Sequence, residues 1–388
     1  MNSKTALKLS SVAAAAILAL SGCSSATPSA TSTLPTKLGE GEGTVSLLAW
    51  PGYVEDGSND PAYDWVTKFE TQTGCQVTSK SYGTSDEATS LFKTGDYDVV
   101  AASGDATLRL IASGDVAELN TDLIPSYAGV YDFLKEKAWN SVDGKVYGVP
   151  HGYGANLLMY KKDVVKPAPT SWDVVFDKSS AYKGKVTAYD SPIYIADAAV
   201  YLMTHNPELN ITNPYALDET QLKAAVDLLK AQRVNVGEYW SDYLKEIQAF
   251  ETGDSVVGTT WQVIVNSMSE KANVGAVLPS EGATGWSDSW MISSKAKSPN
   301  CAYMWLDYID SPEANAAATG YFGEAPATAA ACEFMGQETC DSYHAGDEAY
   351  ASKIWYWTTP IAECLDGRKD AVCTDYSAWT TAWQEIKG

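Results

Sequence analysis

Apolar and polar positions divide the chain into three stretches. Val12 to Leu20 (VAAAAILAL) is an unbroken apolar run behind Lys4 and Lys8, too short for a lasting bilayer span. It predicts a signal peptide over residues 1–22. Ser24 to Gly43 (SSATPSATSTLPTKLGEGEG) offers almost nothing to bury and predicts a flexible tether over 23–43. From Thr44 short apolar runs alternate with helical patterns. TVSLLAW predicts a strand. Asp60 to Thr73 predicts a helix with Trp65, Val66 and Phe69 on one face. CQVTSKSY is a second strand, Asp86 to Lys93 a short helix and YDVVAA a third strand. A turn at Ser103-Gly104-Asp105 then opens a helix from Ala106. This βαβαβα rhythm predicts a parallel sheet covered by helices. KVYGVPHGYGANLLMY places two extended segments around His151-Gly152-Tyr153-Gly154, where the chain is expected to enter a second lobe. KGKVTAYD, SVVGTTW and NVGAVLP predict further strands. Pro192–Met203, Leu217–Gln232 and Asn300–Tyr308 predict helices. The expected division is 44–149 plus 287–331 for one lobe and 150–286 plus 332–388 for the other.

A chain of 388 residues is long enough for two such lobes. Its 49 Asp+Glu against 27 Lys+Arg leave a formal charge of −22. That excludes the basic face a nucleic-acid binder needs, and a polybasic membrane patch with it. The apolar run ends in Leu20-Ser21-Gly22-Cys23, which resembles the lipobox of bacterial lipoproteins. The resemblance implies that Cys23 is lipidated and becomes the first mature residue. Six further cysteines remain: Cys75, Cys301, Cys332, Cys340, Cys364 and Cys373. An even number in an oxidising compartment predicts three disulfides among 15 connectivities. The short-range pairs Cys332–Cys340 and Cys364–Cys373 are expected, and Cys75–Cys301 follows by elimination. His151, His205 and His344 are far apart and no CxxC spacing occurs, so no metal site is expected.

In open α/β sheets ligands bind beyond the carboxyl ends of the strands. Here those ends carry rings and carboxylates. Trp50 and Tyr53 follow the first strand, and Ser103 and Asp105 the third. Asp190 follows VTAY, Trp261 follows VVGTT, and Trp286, Ser287 and Asp288 follow NVGAVLP and its loop. Tyr321 lies in Gly320-Tyr321-Phe322-Gly323-Glu324. Ring faces attract cations and carboxylates pair with ammonium groups, so such a box suits an apolar chain carrying amines.

With these segments the chain resembles the polyamine-binding group of ABC-importer substrate-binding proteins, from about Val45 to its end. Trp50-Pro51-Gly52-Tyr53 matches a W-x-x-Y after the first strand. YDVVAASGD matches a strand and turn, and GTTWQV, GWSDSW and GYFGEAP match three later loops in the same order. The resemblance implies an α/β, two-lobed periplasmic-binding-protein-like fold of type II, each lobe a mainly parallel sheet flanked by helices. It implies that Trp50, Tyr53, Trp261, Trp286 and Tyr321 wall a pocket, that Ser103 hydrogen-bonds and that Asp190 and Asp288 receive amines. Two departures bear on the ligand. Asp105 stands where the group has tyrosine, and Ile193 where it has a glutamate, so one carboxylate is lost and another gained. The implied ligand is a polyamine such as putrescine or spermidine, with no cofactor. The implied partners are the transmembrane subunits of an ABC permease. The protein would be a monomer held by its lipid at the outer face of the cytoplasmic membrane or in the periplasm.

Plainer roles stand beside these. Asp105 suits a helix N-cap, and Asp190 a local hydrogen-bonding role before Ser191-Pro192. Glu324 is an additional candidate acid. Trp65, Trp139, Trp172 and Trp305 read as packing. A second ligand class is a zwitterion such as γ-aminobutyrate, another small amino compound, or a sugar. A carboxylate-bearing ligand wants an arginine clamp, and only Arg109, Arg233 and Arg368 are present. A glycoside hydrolase with paired carboxylates is the enzyme alternative, but no local motif isolates an acid and a nucleophile, and no catalytic residue is assigned.

Overall fold

The computed structural model describes residues 34–388 except Lys178. The expected signal peptide, Cys23 and the tether up to residue 33 lie outside the described residues. The apolar runs give β1 (Thr44–Ala49), β2 (Gln76–Ser81) and β3 (Val99–Ala102), which pair in parallel with β1 in the middle. β3 (VVAA) is buried on both faces, as an inner strand is, whereas β2 (QVTSKS) is largely exposed at the sheet edge. A small hairpin of β4 (Ser141–Val142) and β5 (Lys145–Val146) leads into β6 (Val149–Ala155). β6 stays in the first sheet. A single residue, Asn156, separates it from β7 (Leu157–Lys161) of a second sheet. That sheet is completed by β8 (Val186–Tyr189), β9 (Val236–Trp240), β10 (Val257–Thr260) and β11 (Val274–Val277), in the order β11-β7-β10-β8-β9. β12 (Ala283–Ile292) brings the chain back to the first sheet between β6 and β3. β13 (Ala325–Pro326) pairs with β6, and β14 (Ile354–Tyr356) with β12.

Three expectations need correction. The sheets are mixed rather than mainly parallel. β12 runs antiparallel to both β3 and β6, and β7 antiparallel to β10 and β11. A strand carrying the chain out of a lobe and one bringing it back run in opposite senses. The crossings come at Asn156 and before Ala283, not at 150 and 287, because β6 and β12 each run their whole length in the first sheet. β14 also places part of 332–388 there. Finally, the tether ends before Gly43. Glu42 accepts from Asn300 N–H at 3.0 Å and Cys301 N–H at 2.9 Å, at the start of the helix Pro299–Ile309, whose own N-cap Ser298 makes no side-chain cap. A carboxylate there satisfies two orphan donors and sits favourably on the helix dipole.

Each sheet has its own core. The first is built from residues such as Leu47, Leu48, Phe69, Val100, Trp290 and Trp305. The second is built from Leu158, Trp172, Phe176, Tyr194, Trp240 and Trp379. Trp286, on β12, and Trp357, directly after β14, pack into the second core. The crossing segments are tied together: Asn156 N–H donates to Thr284 C=O at 2.8 Å, and the Thr284 hydroxyl donates to buried Asp197 at 3.0 Å. The cysteines form Cys75–Cys301, Cys332–Cys340 and Cys364–Cys373, as expected. Among the described residues no helix is long and apolar enough to cross a membrane.

Candidate functional site

The site forms where the carboxyl ends of β1 and β3 meet the middle of β12. After β1 the chain turns at Gly52, whose φ of +89° lies in the left-handed region that favours glycine. The turn delivers Tyr53, which is fully buried. On β12 the register against β6 slips between Asp288 and Ser289, because Asp288 faces Gly152 while Ser289 faces Pro150. His151 is the extra residue of that bulge, and the bulge aims Asp288 at the carboxyl ends of the neighbouring strands. The Tyr53 hydroxyl lies 2.9 Å from Asp288 Oδ2 and 3.2 Å from Glu324 Oε2. The Trp286 indole N–H donates to the same Glu324 oxygen at 2.7 Å. The Ser103 hydroxyl and Trp50 indole face Asp288, although Trp50 Nε1 and Asp288 Oδ1 make no bond of strict geometry.

Both acids are 1% exposed. Burial pushes Asp288 up to about 7 against the opposing effect of Ser103 and Tyr53, with Asp105 adding to the rise. Burial, with Asp288 beside it, also pushes Glu324 well above the usual carboxylate range. Asp105 is likewise raised by burial, with Arg109 opposing. It accepts the Ser85 hydroxyl at 2.7 Å, and Thr359 donates to its carbonyl at 2.8 Å. Its helix approaches so closely that a Cβ on Gly104 would lie 1.7 Å from the Trp357 carbonyl oxygen.

Aromatic rings flank the acids. Trp261 lies 5.7 Å from Trp286, 5.6 Å from Tyr189 and 4.9 Å from Trp240. Tyr189 stacks on Trp357 at 5.7 Å and 8°, and Trp50 packs on Tyr82 at 4.5 Å. Trp261 is held by Asn156 Oδ1, 3.1 Å from its indole nitrogen, so one ring of this set hangs on a crossing segment. Tyr321 contacts Tyr63 at 4.5 Å and Trp65 at 6.0 Å, at the edge rather than in this set. Elsewhere on the first lobe a hollow of about 400 Å³ lies between Leu38, Trp65, Met304 and Tyr308. It carries none of these acids.

Of the residues singled out from sequence, Trp50, Tyr53, Ser103, Asp105, Trp261, Trp286 and Asp288 are brought together. Asp190 is not. Lys387 donates to its Oδ2 at 2.6 Å and the Trp383 indole to its Oδ1 at 3.2 Å, so the C-terminal helix Tyr376–Lys387 occupies both oxygens. Its neighbour Tyr189 reaches the rings instead, because consecutive strand residues face opposite sides. Asp190→Asn is therefore expected to change ligand affinity less than about threefold and to cost about 0.5–1 kcal/mol of stability, as a partly exposed ion pair does. Calorimetry beside urea unfolding separates the two. Sequence reasoning missed Tyr189, Trp357 and Tyr82. Tyr189 was legible as the last inward position of VTAY. Trp357 lies beyond β14, a strand the apolar pattern did not single out.

The model of the bacterial extracellular solute-binding protein family matches residues 64–337. A putrescine/cadaverine-binding protein of Pseudomonas aeruginosa is 25% identical over 316 residues, covering 75% of this chain and 81% of that protein. The spermidine/putrescine ABC transporter substrate-binding protein PotD of Streptococcus pneumoniae, solved with calcium and HEPES, superposes with a TM-score of 0.68. It is 18% identical, with 89% of this chain and 97% of that one covered. The solved Atu4243 GABA receptor gives a TM-score of 0.63 at 18% identity, covering 88% and 95%. With more than half its length matched and the two-lobed type II architecture in place, the chain belongs to the bacterial extracellular solute-binding proteins.

Proposed function

We propose that this protein captures a polyamine of the putrescine or spermidine kind and delivers it to the permease of an ABC importer, without catalysing a reaction. It is held at the outer face of the membrane by a lipid on Cys23. The observation that carries the reading is the buried pair Asp288 and Glu324 around the Tyr53 hydroxyl, beside a set of indole rings. Buried carboxylates without a cation are costly, and an alkylammonium meets that cost while its methylene chain lies on the rings. One ammonium is assigned to Asp288 and its neighbours. Asp105 is the next acid along and is assigned to a second. The lobes would part and close about Asn156 and the segment before Ala283, with Trp261 moving as they do.

A zwitterion is disfavoured by the arginines. Arg109 is bound to Asp86 and to the Asp105 carbonyl, and Arg368 to Asp366 and Asp218. Calorimetry on the soluble body from Leu34, which keeps Gly41 and Glu42, tests the reading with putrescine, cadaverine, spermidine, spermine, γ-aminobutyrate and maltose. Micromolar or tighter binding of an amine without a carboxylate is the expected result. A response confined to γ-aminobutyrate or maltose would overturn it.

A further inference from the structure

We propose that Asp288 and Glu324, bridged by Tyr53, hold a proton between them in the empty cleft and release it when an ammonium group enters, so that capture exchanges a cation for a proton. This deepens the polyamine reading and rests on it. The argument starts from counting hydrogens. The Tyr53 hydroxyl is within hydrogen-bond distance of Asp288 Oδ2 (2.9 Å) and of Glu324 Oε2 (3.2 Å). A phenol has one proton and donates it to one carboxylate. Shared between two carboxylates that one proton makes a weak three-centre contact, whereas a protonated carboxyl donating to the phenol oxygen makes both contacts full hydrogen bonds. The phenol cannot instead accept from both as a phenolate, since burial and both acids hold Tyr53 strongly protonated.

Among the described residues the surroundings supply no other positive charge. On Glu324 the indole of Trp286 donates at 2.7 Å, and His151 Nε2 stands 3.9 Å from Oε1. The other nitrogen of His151 stands 3.9 Å from Asp310 Oδ1, itself a buried acid. Burial pushes His151 down to about 3, so it is neutral near pH 7 and balances neither acid. Tyr343, on the segment beyond the Cys332–Cys340 bridge, feels Glu324 and brings no cation. On Asp288 the neighbours are Ser103, Trp50, Tyr82 and Asp105. Arg109 lies behind Asp105 and is engaged by Asp86 and by the Tyr376 ring at 4.1 Å. Two adjacent buried carboxylates with no counter-cation do not both ionise. The raised values of both acids agree with that geometry.

When an ammonium N–H reaches the pair it takes the donor's place. The carboxyl O–H bond breaks, its proton passes to water or buffer, and one positive charge enters as one leaves. The ligand does not supply the proton, because alkylammonium groups titrate near 10, as lysine does. Only the deprotonated pair receives the cation, so affinity should rise with pH, by up to about tenfold per unit below the pair's range, and level off above it.

The experiment is calorimetric titration of the soluble body with putrescine at pH 7 in phosphate and in Tris, buffers of very different ionisation enthalpy. Buffer-dependent heats corresponding to release of up to about one proton per ligand are expected. In Glu324→Gln the amide oxygen can still accept from Trp286 and Tyr53, but the side chain has no proton to lose, so release should fall while weaker binding persists. Binding of the unmodified protein with buffer-independent heat would overturn the exchange. Undiminished release in Glu324→Gln would remove Glu324 from it. Absence of binding to every amine would instead overturn the capture reading, and the exchange with it.

Discussion

Asp288→Asn is expected to weaken putrescine binding by about a hundredfold or more, about 3 kcal/mol. The side chain is 1% exposed and lies against Tyr53, so water cannot replace what the substitution removes. Asparagine keeps the shape and can still accept from Tyr53, but the ammonium would be left in a dry site without its counter-charge, and breaking one side of a buried charge pair costs several kcal/mol. The empty protein should respond in the opposite sense. It loses an acid that is hard to ionise beside Glu324, so its unfolding midpoint should hold or rise. Lost affinity with retained stability is the signature of a ligand carboxylate rather than a packing residue. Asp227→Asn is the control, since Asp227 pairs with Lys223 on an exposed helix face and its loss should leave affinity unchanged. Affinity within threefold of the unmodified protein in Asp288→Asn would place the ammonium elsewhere in the cleft.

The candidate site is legible in the sequence where ring and acid stand together at a strand end. Trp50 and Tyr53 follow β1, Ser103 and Asp105 follow β3, and Trp286 and Asp288 lie on one strand. All of these meet. Legibility failed where position depends on partners far along the chain. Asp190 looked like an acid at a strand end, but Lys387 and Trp383 reach it from a helix almost 200 residues later, and no local pattern records that. Trp357 enters by a third passage between the lobes, after a strand of only three residues. Glu324 was visible as an acid in a glycine-rich loop, but its contact with Tyr53 depends on β13 pairing with β6. The two-lobed plan was legible from strand and helix rhythm, whereas the mixed sheets were not, because strand sense depends on which lobe a strand leaves or enters. The end of the tether is hidden from the sequence for a related reason. Its composition is that of a linker, but Glu42 finds a helix start that is remote in sequence.

Removing Cys75–Cys301 by the paired substitution to alanine is expected to cost about 5 kcal/mol, roughly twice the loss from removing either short bridge. The difference is one of loop length. Cys75–Cys301 spans 226 residues, against 8 for Cys332–Cys340 and 9 for Cys364–Cys373. The long bridge joins the segment before β2 to the start of the helix Pro299–Ile309, two parts of the first lobe that the chain separates by the whole second sheet. It restricts the unfolded chain most, and the end of the tether is packed against it, since a Cβ on Gly41 would lie 2.6 Å from the Cys75 sulfur. Urea unfolding of the three paired variants should rank them accordingly, with tryptophan fluorescence following the first lobe through Trp305 and the second through Trp172 and Trp379. Equal losses for all three would show that structure left in the unfolded chain, rather than loop closure, sets the cost. Binding supplies an independent check. Cys75 precedes β2 at the amino ends of the parallel strands, opposite the carboxyl ends that carry Tyr53 and Ser103. The Cys75/Cys301 variant, wherever it is folded, should therefore bind putrescine within about twofold of the unmodified protein.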